Sequence, residues 1–568
     1  MHYDLEILET KTRESTLKIN NYFIHSKYDP IKEANQLADR LYKPHQAHIL
    51  FGYGCGHLLR AIAKVRKFDE IIILIEPLLE HEKIKIENIP SNTLIFGKDV
   101  LENFEFFLGE FTADYRVSYN VICLANYDKL FVSEYKLLLS KVKDVQMKNQ
   151  VNDYTSIYFS KMWQKNFIEN IFHLSKDHSL NVLENAYNHP VVIASGGPSL
   201  NKQLTILKEN REKMILIAAG STINSLLKEG IEPDYVVSID GGVPNYNHFK
   251  NLNLESAKII YTMQSHPGVR KAFRNKGYVV DLKGHPLLSK YMKEQLNVNL
   301  PLFEGGGTVA HIAFSIAQYI SSGPIALIGQ DLAYTNNVTH ATANLHTKEI
   351  NDQYLKQKNA FKTLGFDDKE VWTSPVFYSM KLEFEDLIKI NYPKNKFFNC
   401  TEGGLVLNGY EQLGFKEFCV TYLHEQITII PPTSKKEHSF KAINFLKKEI
   451  KLYDELQSIL LTAIGTVKSN PSNTIFTQGV LKKLDKLDAN IHDIIYKLPI
   501  ESLLSPITLK VMKNYLPKLN ETKDEEFLRV KNQSMDFYKH LIEATKLAKQ
   551  YTTEIIDKYV DNEETSDE

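Results

Sequence analysis

The chain has 568 residues, and at roughly 100 to 200 residues per domain we expect about three domains. Its 43% hydrophobic and 24% charged residues are typical of a folded chain and not of a disordered one. The formal net charge is −1, whereas proteins that neutralise many phosphates usually carry a basic excess. We therefore do not expect nucleic acid as a partner.

The cysteines and the amino terminus indicate the compartment. Four cysteines are scattered without a CxxC pair, which argues against a disulfide framework and a thiolate zinc site. The first residues lack the basic and apolar regions of a secretion signal, and no apolar run reaches the roughly 18 residues needed to span a bilayer. We therefore expect a cytoplasmic protein without a membrane partner.

The first predicted domain, residues 1–150, has the strand and helix pattern of a Rossmann-like fold. Its segment HILFGYGCGHLLRAI reads as a strand, a turn and a helix, and IIILIEP reads as a second buried strand. Gly52, Gly54 and Gly56 form a GxGxG turn, and Glu76 stands at the strand end where such folds place a ribose-binding acid. A structural turn without a ligand is the alternative, because the spacing departs from GxGxxG.

The second predicted domain, residues 151–435, begins with a helical connector and continues with apolar strands that alternate with helices. The strands begin at Val191, Met214, Tyr235, Lys258, Tyr278, Ile325 and Lys396. This alternation predicts a parallel sheet that is covered on both faces and binds ligands at the carboxyl ends of its strands.

Residues 436–568 show only helical periodicity, and they predict an all-helical carboxy-terminal domain. The final segment, VDNEETSDE, is an acidic tail that cannot build a core, and we expect it to be disordered. The predicted fold class is therefore α/β, with two Rossmann-like domains followed by a helical domain.

The segment VVIASGGPSLNKQL contains the sharpest candidate site. Gly196 and Gly197 end a strand and allow close approach of a ligand, Pro198 suits a first helical position, and Ser199 adds a hydroxyl. We predict that this turn binds the phosphate of a nucleotide. A turn with good capping chemistry and no ligand is the alternative.

Three further segments supply candidate substrate-binding groups. Ser221 and Asp240 each follow a predicted strand, and the Asp240 carboxylate suits a ribose hydroxyl or a metal-bound phosphate. Gly306, Gly307 and Thr308 precede a helix and form a second backbone cradle. Turns and helix caps explain the same residues without a ligand.

The last two strands of the series precede the candidate catalytic groups. Gln330 and Asp331 end one strand, ahead of a polar loop that carries His340. Asp331 is a candidate general base or orienting group, and His340 is a candidate base if the loop folds over the site. Thr401 and Glu402 follow the final strand and frame a sugar or acceptor site, unless they serve only the turn.

Five ordered segments, ASGGPSLNKQL, GIEPDYVVSIDGG, GGGTVAH, IGQDLAYTNNVTHA and FFNCTEGG, resemble the motility accessory factor (Maf) family of bacterial flagellin glycosyltransferases. The resemblance implies transfer of pseudaminic or legionaminic acid, a nine-carbon acidic sugar, from its CMP-activated form to Ser or Thr of flagellin in the cytoplasm. Flagellum assembly and motility would depend on that transfer. The sequence requires no cofactor, leaves a need for a divalent metal open, and is compatible with an oligomer.

The central domain is also similar to bacterial sialyltransferases that carry GPSL after a strand and a glycine-rich segment before a helix. This similarity implies that Gly196 to Ser199 hold the CMP moiety, with Gly306 to Thr308 nearby. The catalytic histidine of those enzymes falls in a stretch that reads VFYSMKLEF here. The base is therefore open among Asp331, His340, Tyr378 and a nearby carboxylate.

Two other functions remain open at this point. The GPSL-containing domain also resembles archaeal hydroxymethylpterin pyrophosphokinases, in which ATP takes the place of a CMP-sugar. A chaperone that holds flagellin through the helical domain, without catalysis, is the third possibility. The two additional domains favour a protein acceptor over a small molecule.

Overall fold

A computed structural model describes residues 3–67, 70–105, 107–108, 118–366, 368–390, 395–429 and 441–564. The chain forms two compact units. The first comprises Met1–Tyr158, Asn473–Ile475 and Leu509–Gln533, and the second comprises Phe159–Ser472, Phe476–Thr508 and Ser534–Glu568. The boundary predicted at residue 435 lies outside the described residues, and the chain after it contributes to both units.

The first unit contains two sheets among its described residues. Its strands are β1 (Leu5–Glu9), β2 (Ser15–Ile19), β3 (Tyr22–Phe23), β4 (Gln46–Phe51), β5 (Ile72–Ile75), β6 (Thr93–Phe96) and β7 (Ser118–Cys123). Its helices include α1 (Pro30–Leu41), α2 (His57–Val65), α3 (Tyr127–Leu130) and the first part of α4 (Val132–Leu174). The strands β6-β5-β4-β7 form a parallel sheet, and β1-β2-β3 form an antiparallel one.

The GxGxG turn after β4 is filled by side chains of the protein itself. Gly52, Gly54 and Gly56 all have positive φ angles, of 101°, 58° and 76°, which explains why glycine stands there. A methyl group at Gly52 would lie 2.6 Å from the Tyr127 ring, and one at Gly54 would collide with His25. The space into which these glycines open is therefore occupied, as the structural alternative expects.

Glu76 also has a structural role at this turn. Its side chain is fully buried and accepts hydrogen bonds from Tyr53 N at 2.6 Å, Leu78 N at 2.8 Å and the Tyr127 hydroxyl at 2.9 Å. Burial raises the pKa of this carboxyl, and the three donors oppose that rise. In this geometry the carboxylate ties β5 to the glycine turn and offers no oxygen to a ribose.

The second unit is built on one large parallel sheet. Its strands are β8 (His178–Ser179), β9 (Val191–Ala194), β10 (Ile215–Ala219), β11 (Tyr235–Ser238), β12 (Lys258–Thr262), β13 (Tyr278–Leu282), β14 (Leu302–Phe303), β15 (Ile325–Ile328), β18 (Phe397–Asn399) and β19 (Glu411–Gln412), with β16 (Phe361–Leu364) and β17 (Glu370–Thr373) as a separate antiparallel pair. The sheet has the order β14-β13-β12-β11-β10-β9-β15-β18-β19, and β8 pairs with β13. All seven predicted strands are confirmed. The added strands have only two to four residues, too few for a clear apolar pattern.

Helices cover both faces of this sheet, as its continuous apolar strands require. They are α5 (Leu200–Glu209), α6 (Ile223–Lys228), α7 (Val243–Tyr246), α8 (Pro267–Arg270), α9 (Pro286–Gln295), α10 (Val309–Ile320), α11 (Asp352–Gln357), α12 (Pro375–Ile390) and α13 (Phe415–Tyr422). Alternate β9 residues enter opposite cores: Val192 faces one and Ile193 the other, and both are fully buried. Helix α10 packs across β9, β10 and β11, so its amino terminus is placed near the strand ends.

The carboxy-terminal segment is helical, as predicted, in α14 (Ala442–Lys468), α15 (Gln478–Ile495), α16 (Glu501–Asn514) and α17 (Lys523–Glu564). Within the second unit Leu446 of α14 and Ile555 of α17 join the same core as β10 and β12, instead of forming a wholly separate one. The tail predicted to be disordered from Val560 is helical as far as Glu564, and residues 565–568 lie outside the described residues. None of the helices described here is long and apolar enough to cross a bilayer.

Candidate functional site

The strand order of the large sheet reverses at β9. From β9 the chain proceeds through β10 to β14 on one side, whereas β15 and β18 lie on the other. Ala194 of β9 stands opposite Ile328 of β15, so the loops at residues 195–199 and 329–331 leave the sheet side by side. Open parallel sheets bind ligands beyond such a switch point. The GGPS and GQD segments therefore occupy the expected position.

The GGPS turn is closed around an aspartate. The Ser199 hydroxyl donates to Asp331 Oδ1 at 2.7 Å, and Ser199 N lies 3.3 Å from the same oxygen. Both side chains are buried, at 0% and 2% exposure. The helix begins at Leu200, two residues after Pro198. The hydroxyl and the amide of Ser199 thus serve a carboxylate of the chain, and the phosphate role of this turn stays a prediction.

Asp331 is buried, and its contacts anchor this turn. Burial raises the pKa of its carboxyl, and the hydrogen bonds from Ser199 oppose that rise. A methyl group at Gly197 or at Gly404 would collide with Asp331, so both glycines are required by close packing. These contacts fit one of the two roles predicted for Asp331, orientation of the neighbouring loop, and proton abstraction stays a prediction.

The residues around the switch point include two buried oxygens without a partner. Ser195 and Gln330 are 6% and 7% exposed, and neither Ser195 Oγ nor Gln330 Oε1 has a hydrogen-bond partner among the described residues. Buried polar atoms are normally satisfied, and exceptions often mark a bound water, ion or ligand. Ser195 was not singled out from the sequence, because a single serine at a strand end carries no distinctive pattern.

Thr401 and Glu402 lie behind this turn. Thr401 is fully buried and its hydroxyl accepts from Gln330 N at 3.2 Å. Glu402 accepts from Gln203 Nε2 of α5 at 3.2 Å. Both residues therefore brace β15 and α5, and their predicted place in a sugar or acceptor site stays a prediction.

A polar segment, residues 339–348, docks on the loops that follow three strands. Ala341 N donates to Gly196 O at 2.9 Å, and Asn344 Nδ2 donates to Ser221 Oγ at 3.2 Å. His346 reaches the residues after β11 through the ring of His248. We call this segment, which includes His340, the docked segment. The loop that carries His340 thus lies on the strand-end loops, which is the arrangement on which the prediction for His340 depends.

His340 lies against the GGPS turn. A methyl group at Gly196 would be 3.7 Å from His340 Cδ2, and His340 Nδ1 has no hydrogen-bond partner among the described residues. Burial, followed by the charge of His346, lowers the pKa of the His340 imidazole. A neutral imidazole with a free ring nitrogen is the form that accepts a proton.

Asp240 is the accessible carboxylate of the site. The residue is exposed, and desolvation by the surrounding protein atoms raises the pKa of its carboxyl. The neighbouring Gly241 could not carry a side chain, because a methyl group there would lie 2.6 Å from Gln264 O.

The second predicted cradle precedes α10. Gly305, Gly306 and Gly307 are exposed, and Thr308 is the residue before the helix but makes no side-chain capping bond. The plain N-cap alternative is therefore not realised for the Thr308 hydroxyl. Val309, the next residue, would contact a methyl group at Gly220 at 3.8 Å, so this cradle adjoins the loop after β10.

One amide of this cradle is already occupied by Glu383 of α12. Gly307 N donates to Glu383 Oε2 at 2.6 Å, and His311 Nδ1 lies 3.1 Å from the same oxygen. His311 is buried and its Nε2 donates to Met380 O. Glu383 belongs to VFYSMKLEF, the stretch in which the related sialyltransferases carry their catalytic histidine. Glu383 and Gly307 are far apart in the sequence, so no local pattern predicted their contact.

Comparisons with known proteins support this architecture. A protein-family model described as 6-hydroxymethylpterin diphosphokinase MptE-like matches residues 165–337, which include the GGPS turn, Asp240 and Asp331. An uncharacterized protein of Treponema pallidum (strain Nichols) is 24% identical over 220 residues, which cover 35% of this chain and 71% of that one.

The solved structure of a MAf glycosyltransferase from Magnetospirillum magneticum AMB-1 is similar with a TM-score of 0.51 and 14% sequence identity. The likeness covers 98% of this chain and 91% of that one, so it extends over both units. At this identity it establishes the fold. The chain therefore has the fold of a Maf glycosyltransferase built around an MptE-like central region, which confirms the resemblance drawn from the sequence motifs.

Proposed function

We propose that the protein is a glycosyltransferase that moves pseudaminic or legionaminic acid from its CMP-activated form to Ser or Thr of flagellin, in the cytoplasm. The observation that carries the proposal is that His340 lies beside Gly196 of the GGPS turn and that the cradle before α10 adjoins the loop after β10, at the strand ends of a Maf-type fold. The proposal also fits a protein acceptor, since the chain extends well beyond the central region.

The donor would be held by backbone and by small polar groups. The exposed glycines Gly305 and Gly306 and the uncapped Thr308 hydroxyl suit the phosphate that links CMP to the sugar. The Asp240 carboxylate suits ribose hydroxyls, which donate to it. Ser195 and Gln330 supply buried acceptors without a partner, which suit donors on the nucleotide or a bridging water.

His340 is the base in this proposal. The acceptor hydroxyl attacks the anomeric carbon, its proton passes to the neutral His340 imidazole, and the bond between that carbon and the CMP oxygen breaks. The electron pair of that bond leaves with CMP. A single displacement of this kind inverts the anomeric centre, by the geometry that applies to inverting glycosidases.

The first experiment is calorimetric titration of the protein with CMP, on the wild type and on Asp240→Asn and Thr308→Val. We expect each substitution to weaken CMP binding by roughly tenfold, the effect of one lost hydrogen bond to a ligand. The matched control is Glu229→Gln, an exposed carboxylate after the far end of α6, which should bind CMP as the wild type does.

Transfer itself is measured by incubating flagellin with each of the two CMP-sugars and weighing the intact flagellin by mass spectrometry. A gain of one sugar mass that His340→Gln abolishes, with CMP binding retained, supports the proposal. Binding of CMP without any gain in mass by either sugar counts against these donors. Tight flagellin binding without CMP binding would indicate the chaperone alternative.

A second function, pyrophosphoryl transfer from ATP to a small hydroxyl compound, is favoured by one observation. The MptE-like family model covers the whole switch point, from residue 165 to residue 337. Titration with ATP and Mg²⁺ separates the two: selective ATP binding supports this second function, and selective CMP binding opposes it.

A further inference from the structure

The ring of His248 makes a buried contact with the docked segment. His248 lies just after α7, in the loop that begins at Asp240, and it is only 3% exposed. Its Nε2 lies 2.9 Å from Nε2 of His346, which is exposed. Two histidines thus join the docked segment to the loop that carries the accessible carboxylate of the site.

The direction of this hydrogen bond follows from Asn224 of α6. The Asn224 amide nitrogen lies 3.3 Å from both the backbone oxygen and the Nδ1 of His248. A carbonyl oxygen only accepts, so the nitrogen of the amide must face it, and His248 Nδ1 then accepts as well. The proton of the neutral His248 ring is therefore on Nε2, which donates to His346.

This bond fixes more than one side chain, because the docked segment is internally braced. Thr339 Oγ1 donates to His346 O at 3.0 Å and accepts from Lys348 N at 2.9 Å. His346 N donates to the side chain of Asn344, which binds Ser221. Since His340 lies between these braces, the position of its ring depends on how His346 is held.

We propose that His248 is a positioning residue, which donates to His346 and thereby holds the docked segment, with His340, over the strand-end loops. The proposal rests on the glycosyltransferase function proposed above for its effect on rate, but not for its effect on the segment. In this proposal His248 contacts no reacting atom. Its part is to keep the His340 ring beside Gly196.

Two substitutions remove the bond from opposite sides. His248→Leu deletes the buried donor. His346→Leu deletes the acceptor, and because His346 is exposed, this variant should keep its fold. We expect both to lower kcat of sugar transfer by roughly tenfold or more, because displacement of a catalytic group by about 1 Å has effects of that size. The Kd for CMP should change less than threefold, a small effect on the scale of one lost hydrogen bond.

A matched variant tests the direction of the bond. His248→Gln can place an amide donor near the position of Nε2–H, and it should recover most of kcat. Leu345→Ala, an exposed change within the docked segment, should leave kcat and docking at wild-type values. If His248 served only to stabilise the fold, its loss would not lower kcat while leaving CMP binding unchanged. Nor would a side chain that restores only the donor, as in His248→Gln, then restore kcat.

Docking is read directly by hydrogen exchange at the amides of Ala341 and Lys348, which donate to Gly196 O and Thr339 Oγ1. Faster exchange in both leucine variants, with wild-type rates in Leu345→Ala, supports the proposal even if no sugar is ever transferred. Wild-type exchange in both leucine variants overturns it. A wild-type kcat in both also overturns it, whereas absence of transfer by the unmodified protein bears only on the proposed function.

Discussion

A methyl group at Gly197 would collide with Asp331 and would lie 2.5 Å from Gly329 O, whereas one at Gly305 would meet nothing within 4 Å. We therefore expect Gly197→Ala to lower the free energy of unfolding by on the order of 2 kcal/mol, because packed backbone and a buried carboxylate must move. Gly305→Ala is the matched control and should be nearly neutral. Urea unfolding of both variants, followed by circular dichroism, checks the difference, and equal midpoints would contradict the packing described for Gly197.

Asp331 and Asp240 show how residue type alone fails to assign a role. Both aspartates follow strands of the same sheet, and desolvation raises the pKa of both. Ser199 engages the first in a buried hydrogen bond, and the second is exposed. The sequence offered both as functional carboxylates, and only the contacts around each one separate an anchor from an accessible group.

At the scale of elements, α14 carries a buried carboxyl against α9. Glu449 is 1% exposed and accepts a hydrogen bond from the Tyr291 hydroxyl, while its Oε2 has no partner among the described residues. Burial raises the pKa of Glu449 from 4.5 to about 8, and the Tyr291 bond opposes this only in part. The neutral form is therefore the one that the folded protein favours.

This shift predicts a pH dependence of stability. The folded pKa lies above the unfolded value, so the contribution of Glu449 is fully present below about pH 4.5 and is lost as the pH rises towards 8, at about 1.4 kcal/mol per unit of pKa difference. Glu449→Gln cannot ionise and should lose less stability between pH 5 and pH 8. Glu455→Gln, exposed on the same helix, is the control. Thermal unfolding at the two pH values checks this, and equal losses in both variants would count against a neutral Glu449.

The central strands can be predicted from local sequence, whereas the docked segment cannot. The seven strands of the central series were predicted because each is a continuous apolar run that is buried on both faces. The docked segment has no such pattern. Its contacts with Gly196, Ser221 and His248 join residues about 100 or more positions apart, and no local periodicity encodes them.

At the scale of the whole molecule, the two units are expected to respond separately to substitution. Glu76→Gln introduces an amide NH2 donor beside the groups that now donate hydrogen bonds to Glu76. Two donors cannot satisfy each other, and an unsatisfied buried polar group costs roughly 1–3 kcal/mol. We expect the first unit to unfold at a lower temperature and CMP affinity to stay unchanged, because the proposed site lies in the second unit. Differential scanning calorimetry with and without CMP measures both. A loss of CMP affinity would show that the glycine turn of the first unit takes part in binding.

By itself the sequence determined the α/β class, the positions of seven central strands along the chain, the helical carboxy-terminal segment and the Maf resemblance, because apolar periodicity and short motifs are local properties. Only the tertiary structure decided that the GxGxG turn is filled by Tyr127, that Ser199 serves Asp331, and that the loop of His340 docks across three strand ends. It also placed Glu383 on the cradle of Gly307. The physical reason is that burial and hydrogen-bond partners depend on which distant segments meet. The same residue in the same turn therefore binds a ligand in one fold and a side chain of its own protein in another.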